Sequence, residues 1–215
     1  MGMGTVSGPG HWAFADSLEL GVPGGGVLTW EESKSHLALY AVTSQPLFVS
    51  NDMRPGYTQK RILDMLKNKM MLAVNQEWAG FAGDRMWTAA VGKEIWSKPL
   101  PGHRAAVLVF NRNGTTSDCS VRHSIDCPCD DNITASTGSQ DIYFDFSILP
   151  SQWLGKEPTD DALDAIVSCD VIDIFGGVNA SHGVSLGRVR GGFKAEQVPP
   201  HGSRFLLIGN CTDGV

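Results

Sequence analysis

Residues 29–50 read TWEESKSHLALYAVTSQPLFVS, and this stretch decides the kind of fold that contains it. Thr29 and Glu32 make a capping box: the threonine hydroxyl accepts from the Glu32 backbone N–H, and the glutamate side chain reaches back. Leu37, Tyr40, Ala41 and Ser44 then recur at helical spacing and predict one buried stripe. Gln45-Pro46 stops the helix, because proline disfavours the helical conformation in the residue before it. The run PLFVS at 46–50 suits a short parallel strand buried on both faces.

The neighbouring segments extend the same rhythm. GPGHWAFADSLELG at 8–21 predicts a strand over 11–20, closed by Gly21 and the VPGGG turn. Residues 58–68 predict a second amphipathic helix through Ile62, Met65 and Leu66, and MMLAV closes this part. Strand and helix alternating in this way mean parallel βα units. Two such units cannot close a barrel or fill a doubly wound sheet. Their strands expect parallel neighbours, so the sequence reads as incomplete at its N-terminus.

After the glycine-rich EWAGFAGD at 77–84 the pattern becomes all-β. EIWSKPL, AAVLVF, QDIYFDFSI, DVIDIF and SRFLLIG are strand-length runs between turn-rich loops. Ile142, Phe144, Phe146 and Ile148 alternate with Tyr143, Asp145 and Ser147, the pattern of a half-buried antiparallel strand. Several such strands suggest a sandwich or barrel. The expected division is an α/β part over 1–80 and an antiparallel β-sandwich over 81–215, with the boundary between about 77 and 93.

Composition narrows the partners. With 215 residues, a formal charge of −6 and 19% charged residues, the chain is an ordinary globular sequence. It lacks the clustered Lys and Arg that a nucleic acid or anionic membrane requires. MGMGTVSG has neither the basic start nor the apolar core of a signal peptide, and Val6 breaks the myristoylation pattern. Asn113, Asn132, Asn179 and Asn210 nevertheless begin glycan-acceptor triplets, where eight asparagines would give roughly one by chance. The five cysteines, Cys119, Cys127, Cys129, Cys169 and Cys211, suit an oxidising compartment, and their odd number leaves one without an internal partner. The expectation is a secretory-pathway glycoprotein, lysosomal, vacuolar or extracellular, whose disulfide pairing sequence alone does not give.

The order GPGHWxxxDxLELG, TWEESKSHLALYAV, PLFVSNDMR and LAVNQE resembles the end of the barrel in family 27 glycoside hydrolases, the α-galactosidases and α-N-acetylgalactosaminidases. EIWSKPL, AAVLVFNRN, VIDIF, SLG and VPPHGSRFLLI are similar to that family's C-terminal antiparallel domain, and only the region near 113–170 stands apart. The resemblance implies the last two βα units of a (β/α)8 TIM-type barrel followed by a β-sandwich. Active sites of such barrels collect at the C-terminal ends of the strands, where Asp16 and Ser50-Asn51-Asp52 would fall. The family pattern Trp-Asn-Asp-Pro-Asp-Met-Leu stands here as Trp12-Ala13-Phe14-Ala15-Asp16-Ser17-Leu18. Trp12 and Asp16 are therefore the implied substrate-binding residues, with Asp16 bordering the galactose pocket. NQEWAG likewise replaces the usual Asn-Gln-Asp-Pro-Leu-Gly.

Retaining hydrolysis needs a nucleophile and an acid/base carboxyl about 5 Å apart. In the family these sit on the fourth and sixth strands, in Tyr-x-Lys-x-Asp and Arg-x-x-x-Asp settings that have no counterpart here. No catalytic residue is expected in this chain, which is expected to be inactive alone. The implied reaction hydrolyses terminal α-galactosyl groups and uses no metal or organic cofactor. Alternative readings are a non-catalytic glycan- or partner-binding protein, or a subunit that completes its barrel with another chain. A homodimer is also open.

Other constellations have plainer explanations. Asp16 and Asp52 would lie at neighbouring strand ends, where aspartates commonly cap helices or bind turn amides. Cys119, His123, Cys127 and Cys129 match no standard zinc spacing and fit a disulfide-stapled loop. His11, His36, His103 and His201 form no nucleophilic arrangement, and VPPHGS reads as the turn before the last strand. Trp30, Trp78, Trp87, Trp96 and Trp153 could build a sugar-stacking platform or simply fill the core.

Overall fold

A computed structural model describes residues 6–21, 28–54, 56, 58–89, 92–113, 138–155 and 167–213. Helix α1 spans Trp30–Val42 and carries the expected capping box: Glu32 N donates to Thr29 Oγ1 (3.2 Å) and Thr29 N to Glu32 Oε2 (2.7 Å). Leu37, Tyr40 and Ala41 are buried as their spacing requires. Ser44 is buried too, but it lies beyond the helix end.

The second helical region divides in two. Helix α2 is Lys60–Leu66 and helix α3 is Lys69–Gln76. Asn68 separates them because its Oδ1 accepts from Met70 N (2.9 Å) and Met71 N (3.1 Å), the geometry of an N-cap that starts a new helix.

The two expected parallel strands are extended but not regular. They meet at one parallel bridge, Leu18 with Val49, where Leu18 N donates to Phe48 O at 2.7 Å. The sequence expectation of burial on both faces also fails: Phe48 and Val49 are exposed. The physical reason is shared. A parallel strand is stable between neighbours, and among the described residues neither segment has a strand on its outer edge.

From residue 84 the described strands pair antiparallel. Strands β1 (Asp84–Thr88), β2 (Lys93–Leu100), β3 (Arg104–Asn111), β4 (Gln140–Asp145), β5 (Val167–Asp173), β6 (Val184–Arg190), β7 (Gly192–Val198) and β8 (Ser203–Asp213) form two sheets. Six strands run in the order β1-β2-β3-β8-β5-β6, and β4 pairs with β7. The AAVLVF run is continuously apolar because β3 is buried on both sides. Ala105, Val107 and Val109 face the core shared with Ile142, Phe144 and Val198 of the β4–β7 pair. Ala106 and Leu108 face a second core with Leu37, Ala41, Met71 and Val74 of the helices. One sheet is thus covered by a strand pair on one face and by helices on the other.

Strand β4 alternates buried and exposed side chains as expected, but it ends sooner. Asp145 Oδ1 accepts from Ser147 N (2.8 Å), and Phe146–Ile148 turns into a 3-10 helix. Strands β1, β6 and β7 were not expected. The first two are sheet edges with exposed side chains, and each carries a bulge or register shift against its neighbour, which discourages further edge pairing. A disulfide joins Cys169 to Cys211 across β5 and β8. Cys119, His123, Cys127 and Cys129 lie outside the described residues.

Candidate functional site

The segment bearing Asp16 is held from three sides. At its start a tight turn closes with Gly8 N donating to His11 O (2.8 Å) and His11 N to Gly8 O (2.9 Å). Gly10 sits at φ +91°, a conformation that glycine adopts without steric cost. Ala13 N donates to Ser7 Oγ at 2.9 Å. Further along, Tyr40 Oη donates to the carbonyl oxygens of both Ala15 and Asp16, at 3.0 Å each. Ser50 Oγ donates to Leu18 O (2.6 Å), and Asn51 Nδ2 donates to Leu20 O.

Asp16 itself has φ +86°, unusual for a residue with a Cβ. Its Oδ1 accepts from Ser17 N at 2.7 Å, a local bond that helps an aspartate tolerate such backbone. The carboxylate is exposed. Asp52 is differently engaged. Arg54 Nε donates to Asp52 Oδ1 (2.9 Å) and Oδ2 (3.1 Å), and Arg54 N donates to Oδ1 (3.0 Å). These side-chain and backbone bonds from Arg54 hold the Asp52 carboxyl below its ordinary range. Each of the two aspartates is thus occupied locally, the role ascribed to strand-end acids above.

Ionisable groups behind the segment are shifted mainly by burial. Burial raises the Tyr40 hydroxyl, with the nearby charges of Asp16 and Glu19 acting in the same direction. Burial lowers His36, opposed by Glu19, and the His36 and Tyr40 rings lie 4.9 Å apart. The Nε2 of His36 is buried without a hydrogen-bond partner.

Aromatic rings line the rest of the segment. Trp12 is 40% exposed and meets Trp78 edge to face, with ring centroids 5.4 Å apart at 84°. Phe14 meets Phe48 in the same manner at 5.2 Å, and they are 55% and 57% exposed. The other tryptophans do not join them. Trp30 lies under Arg61 on the helical side, Trp96 donates to Glu94, Trp153 packs on Phe81, and Trp87 sits on edge strand β1.

Residues 2–77 match the family model described as alpha galactosidase A. Alpha-galactosidase 2 of Arabidopsis thaliana is 33% identical over 114 residues, which is 53% of this chain and 27% of that protein. Human alpha-galactosidase A is 36% identical over 107 residues, 50% of this chain and 24% of the relative. Among solved structures, alpha-galactosidase I from Mortierella vinacea superposes with a TM-score of 0.63 at 20% identity, covering 92% of this chain and 39% of that one. The Saccharomyces cerevisiae α-galactosidase solved with raffinose gives a TM-score of 0.66 at 16% identity, covering 92% and 46%. The chain is a relative of the family 27 glycoside hydrolases. It spans about a quarter of the length of the curated relatives it matches, a coverage that fits their C-terminal portion.

Relative to the family 27 pattern, this chain's residues around Asp16 depart toward apolar side chains. Sequence reasoning singles out Ala13, Phe14 and Ala15 before the aspartate; the structure adds Trp78 against Trp12 and, unforeseen, Phe48 against Phe14. Tyr40 also escaped notice, because its helical spacing reads as a core position. Its hydroxyl was the available signal: a buried tyrosine O–H commonly finds an acceptor.

The glycan-acceptor asparagines are spread over the β-rich part. Asn113 follows β3, and its carbonyl accepts from His201 N (3.2 Å). Asn179 Nδ2 donates to Asp64 Oδ2 (3.0 Å), and Asn210 Nδ2 donates to Asp170 Oδ2 (2.9 Å). Asn132 lies outside the described residues. His201 Nδ1 lies 2.9 Å from Glu32 Oε1, so the turn before β8 is tied to the cap of α1. Among the described residues no three His, Cys, Asp or Glu side chains gather in a way that could hold a metal ion. No described helix is long and apolar enough to cross a membrane.

Proposed function

We propose that this chain is the C-terminal portion of an α-galactosidase-type retaining glycoside hydrolase. Residues 1–80 supply the last two βα units of a (β/α)8 barrel, and 81–215 form its antiparallel β-sandwich. Asp16 and Trp12 form one wall of the pocket for a terminal α-galactosyl group. The nucleophile and the acid/base come from barrel strands outside this sequence, so the chain alone does not turn over. It travels the secretory pathway as a glycoprotein modified among Asn113, Asn132, Asn179 and Asn210.

The observation that supports the reading best is the parallel bridge between Leu18 and Val49 with helix α1 between them. A parallel pair joined through a helix is the repeating unit of an α/β barrel. Ser50 and Asn51 follow the bridging Val49 on its C-terminal side, where barrel sites collect, while Asp16 lies two residues before the bridging Leu18. The test is hydrolysis of a chromogenic α-galactoside by the purified chain. No release of the chromophore is expected, and measurable turnover overturns the assignment of catalysis to residues elsewhere.

The exposed Trp12 indole favours a second reading, a glycan-binding protein without catalysis. Binding of α-galactosides that is lost in Trp12→Ala, from a gene encoding no upstream barrel, distinguishes it from the first.

A further inference from the structure

We propose that Asn210 accepts an N-linked glycan only while the Cys169–Cys211 bridge is open, so that glycan transfer precedes disulfide closure. The proposal rests on reading the protein as a secretory glycoprotein. It adds the order in which two modifications of one triplet occur.

The glycan-acceptor triplet Asn210-Cys211-Thr212 has the bridging cysteine as its middle residue. It lies on a bulge: Asp170 pairs with Gly209 and Ser168 with Thr212, so Cys169 alone on β5 faces Asn210 and Cys211 on β8. Asn210 takes φ +49°, a left-handed conformation that asparagine tolerates, and the residue is exposed.

In the folded chain both ends of the triplet are occupied. Asn210 Nδ2 donates to Asp170 Oδ2 (2.9 Å). From β6, Arg188 Nη1 donates to Asp170 Oδ1 (3.1 Å) and Asn210 O (2.9 Å), while Nη2 donates to Ser168 O (2.9 Å) and Thr212 Oγ1. Transfer is specific for an asparagine with a hydroxyl two residues on, and an enzyme that reads both needs this end of β8 detached from β5. The strand's other neighbour, β3, pairs with it only from Ser203 to Ile208. Beyond Ile208, among the described residues, β8 is held by β5, by Arg188 and by the bridge. Hydrogen bonds at such a strand end open by local unfolding, whereas a covalent bond inside the triplet does not. The bridge therefore decides whether the acceptor can be reached.

The chemistry allows transfer first and closure second. Asn210 Nδ2 attacks the first sugar carbon of a lipid-pyrophosphate-linked oligosaccharide. A C–N bond forms, the C–O bond to the pyrophosphate breaks, the lipid pyrophosphate leaves and Nδ2 gives up one proton. The amide keeps one N–H for Asp170. Closure then joins the two thiols, whose two protons and two electrons pass to a disulfide-bearing oxidant that becomes a dithiol. Cys169 is fully buried in the core shared with the β4–β7 pair, so a glycan on exposed Asn210 does not obstruct the bridge.

Asn179-Ala180-Ser181 supplies the contrast, since it is also folded away but contains no cysteine. Its Nδ2 donates to Asp64, Ala180 O accepts from Asn68 Nδ2 (2.8 Å) and Ser181 Oγ donates to Val178 O (2.7 Å).

The experiment expresses the 215-residue chain behind a secretion leader in a eukaryotic host and reads occupancy at Asn179 and Asn210 by glycopeptide mass spectrometry. Cys169→Ala and Cys211→Ser each remove the bridge and keep an Asn-x-Thr triplet. Both are expected to raise the ratio of occupied to unoccupied Asn210 several-fold over the parent, with no comparable rise at Asn179. Equal occupancy of Asn210 in parent and variants overturns the order while leaving Asn210 an acceptor. An equal rise at Asn179 means that the fold as a whole has loosened, and overturns control by the bridge. Asn210 unmodified in all three chains overturns its role as acceptor. The secretory reading fails separately, if the protein from its natural source carries no glycan at any of its four triplets while the leader-directed chains behave as expected.

Discussion

Tyr40 and Asp16 are joined through the backbone: the tyrosine hydroxyl donates to the Asp16 carbonyl, and to that of Ala15, at 3.0 Å each. A residue with a Cβ held at φ +86° is costly unless its surroundings over-determine it, and this bifurcated bond is part of that constraint. Helix α1 therefore sets the conformation of the segment that carries the candidate site.

Replacing Tyr40 by Phe tests the relationship. The ring keeps its packing, and two carbonyl oxygens lose their donor. A loss of about 1–2 kcal/mol in urea unfolding is expected, the range for a hydrogen bond whose partner remains. Amide exchange should accelerate over 15–18 before it does elsewhere. Unchanged exchange in that segment would show that the hydroxyl does not position Asp16.

Asn68 ties the helices to the β-part more tightly. Its Nδ2 donates to Ile174 O (2.7 Å) and Ala180 O (2.8 Å), while Oδ1 caps α3, and the residue is fully buried. Asn68→Asp preserves the cap and the shape but turns the amide donor into an acceptor facing two carbonyls. A loss of about 3 kcal/mol or more is expected, since a buried charge is left against like partial charges. A melting temperature within a degree of the parent would sink this account.

Much of the fold was legible where chemistry is local. The Thr29–Glu32 cap announces α1 because both partners lie within one turn. Strand β3 announces itself as an apolar run, yet its two-faced burial depends on helices and strands distant in sequence. The edge strands β1 and β6 were illegible because exposed side chains carry no alternation to read. At the candidate site Asp16 and Trp12 stood out by pattern. Tyr40 and Phe48 did not, because one looks like core and the other like a buried strand residue. What makes them matter is a hydroxyl reaching a carbonyl 24 residues away and a ring left uncovered.

The Cys169–Cys211 bridge closes a sequence separation of 42 residues between adjacent strands. Constraining an unfolded chain over a loop of that length stabilises the fold by about 4 kcal/mol in the chain-entropy treatment. The double variant Cys169→Ala/Cys211→Ala is expected to shift the urea midpoint downward correspondingly. A midpoint equal to that of the parent under oxidising conditions would show that the bridge contributes nothing to stability.

Lys98 supplies a pH dependence of unusual sign. It is fully buried on β2, with Nζ donating to Val74 O and to Asn75 O (3.2 Å) in the last turn of α3. Cations favour helix C-termini, but burial outweighs this and lowers the ammonium from 10.5 to about 8, with Glu77 opposing the shift. Glu77 is itself paired with Arg104 Nη2 at 2.7 Å, which limits its help. Between pH 8 and 10.5 the unfolded chain therefore binds the Lys98 proton more than the folded chain does, and stability from this group rises with pH across that window. The shift corresponds to about 3 kcal/mol of burdened charge below pH 8 that is relieved above it. Lys98→Met removes the titrating group while keeping most of its volume. The stability difference between parent and variant, read from urea midpoints at several pH values, is expected to move in favour of the parent from pH 8 to 10.5. A difference that stays flat over that range means that Lys98 titrates in the folded protein as it does in water.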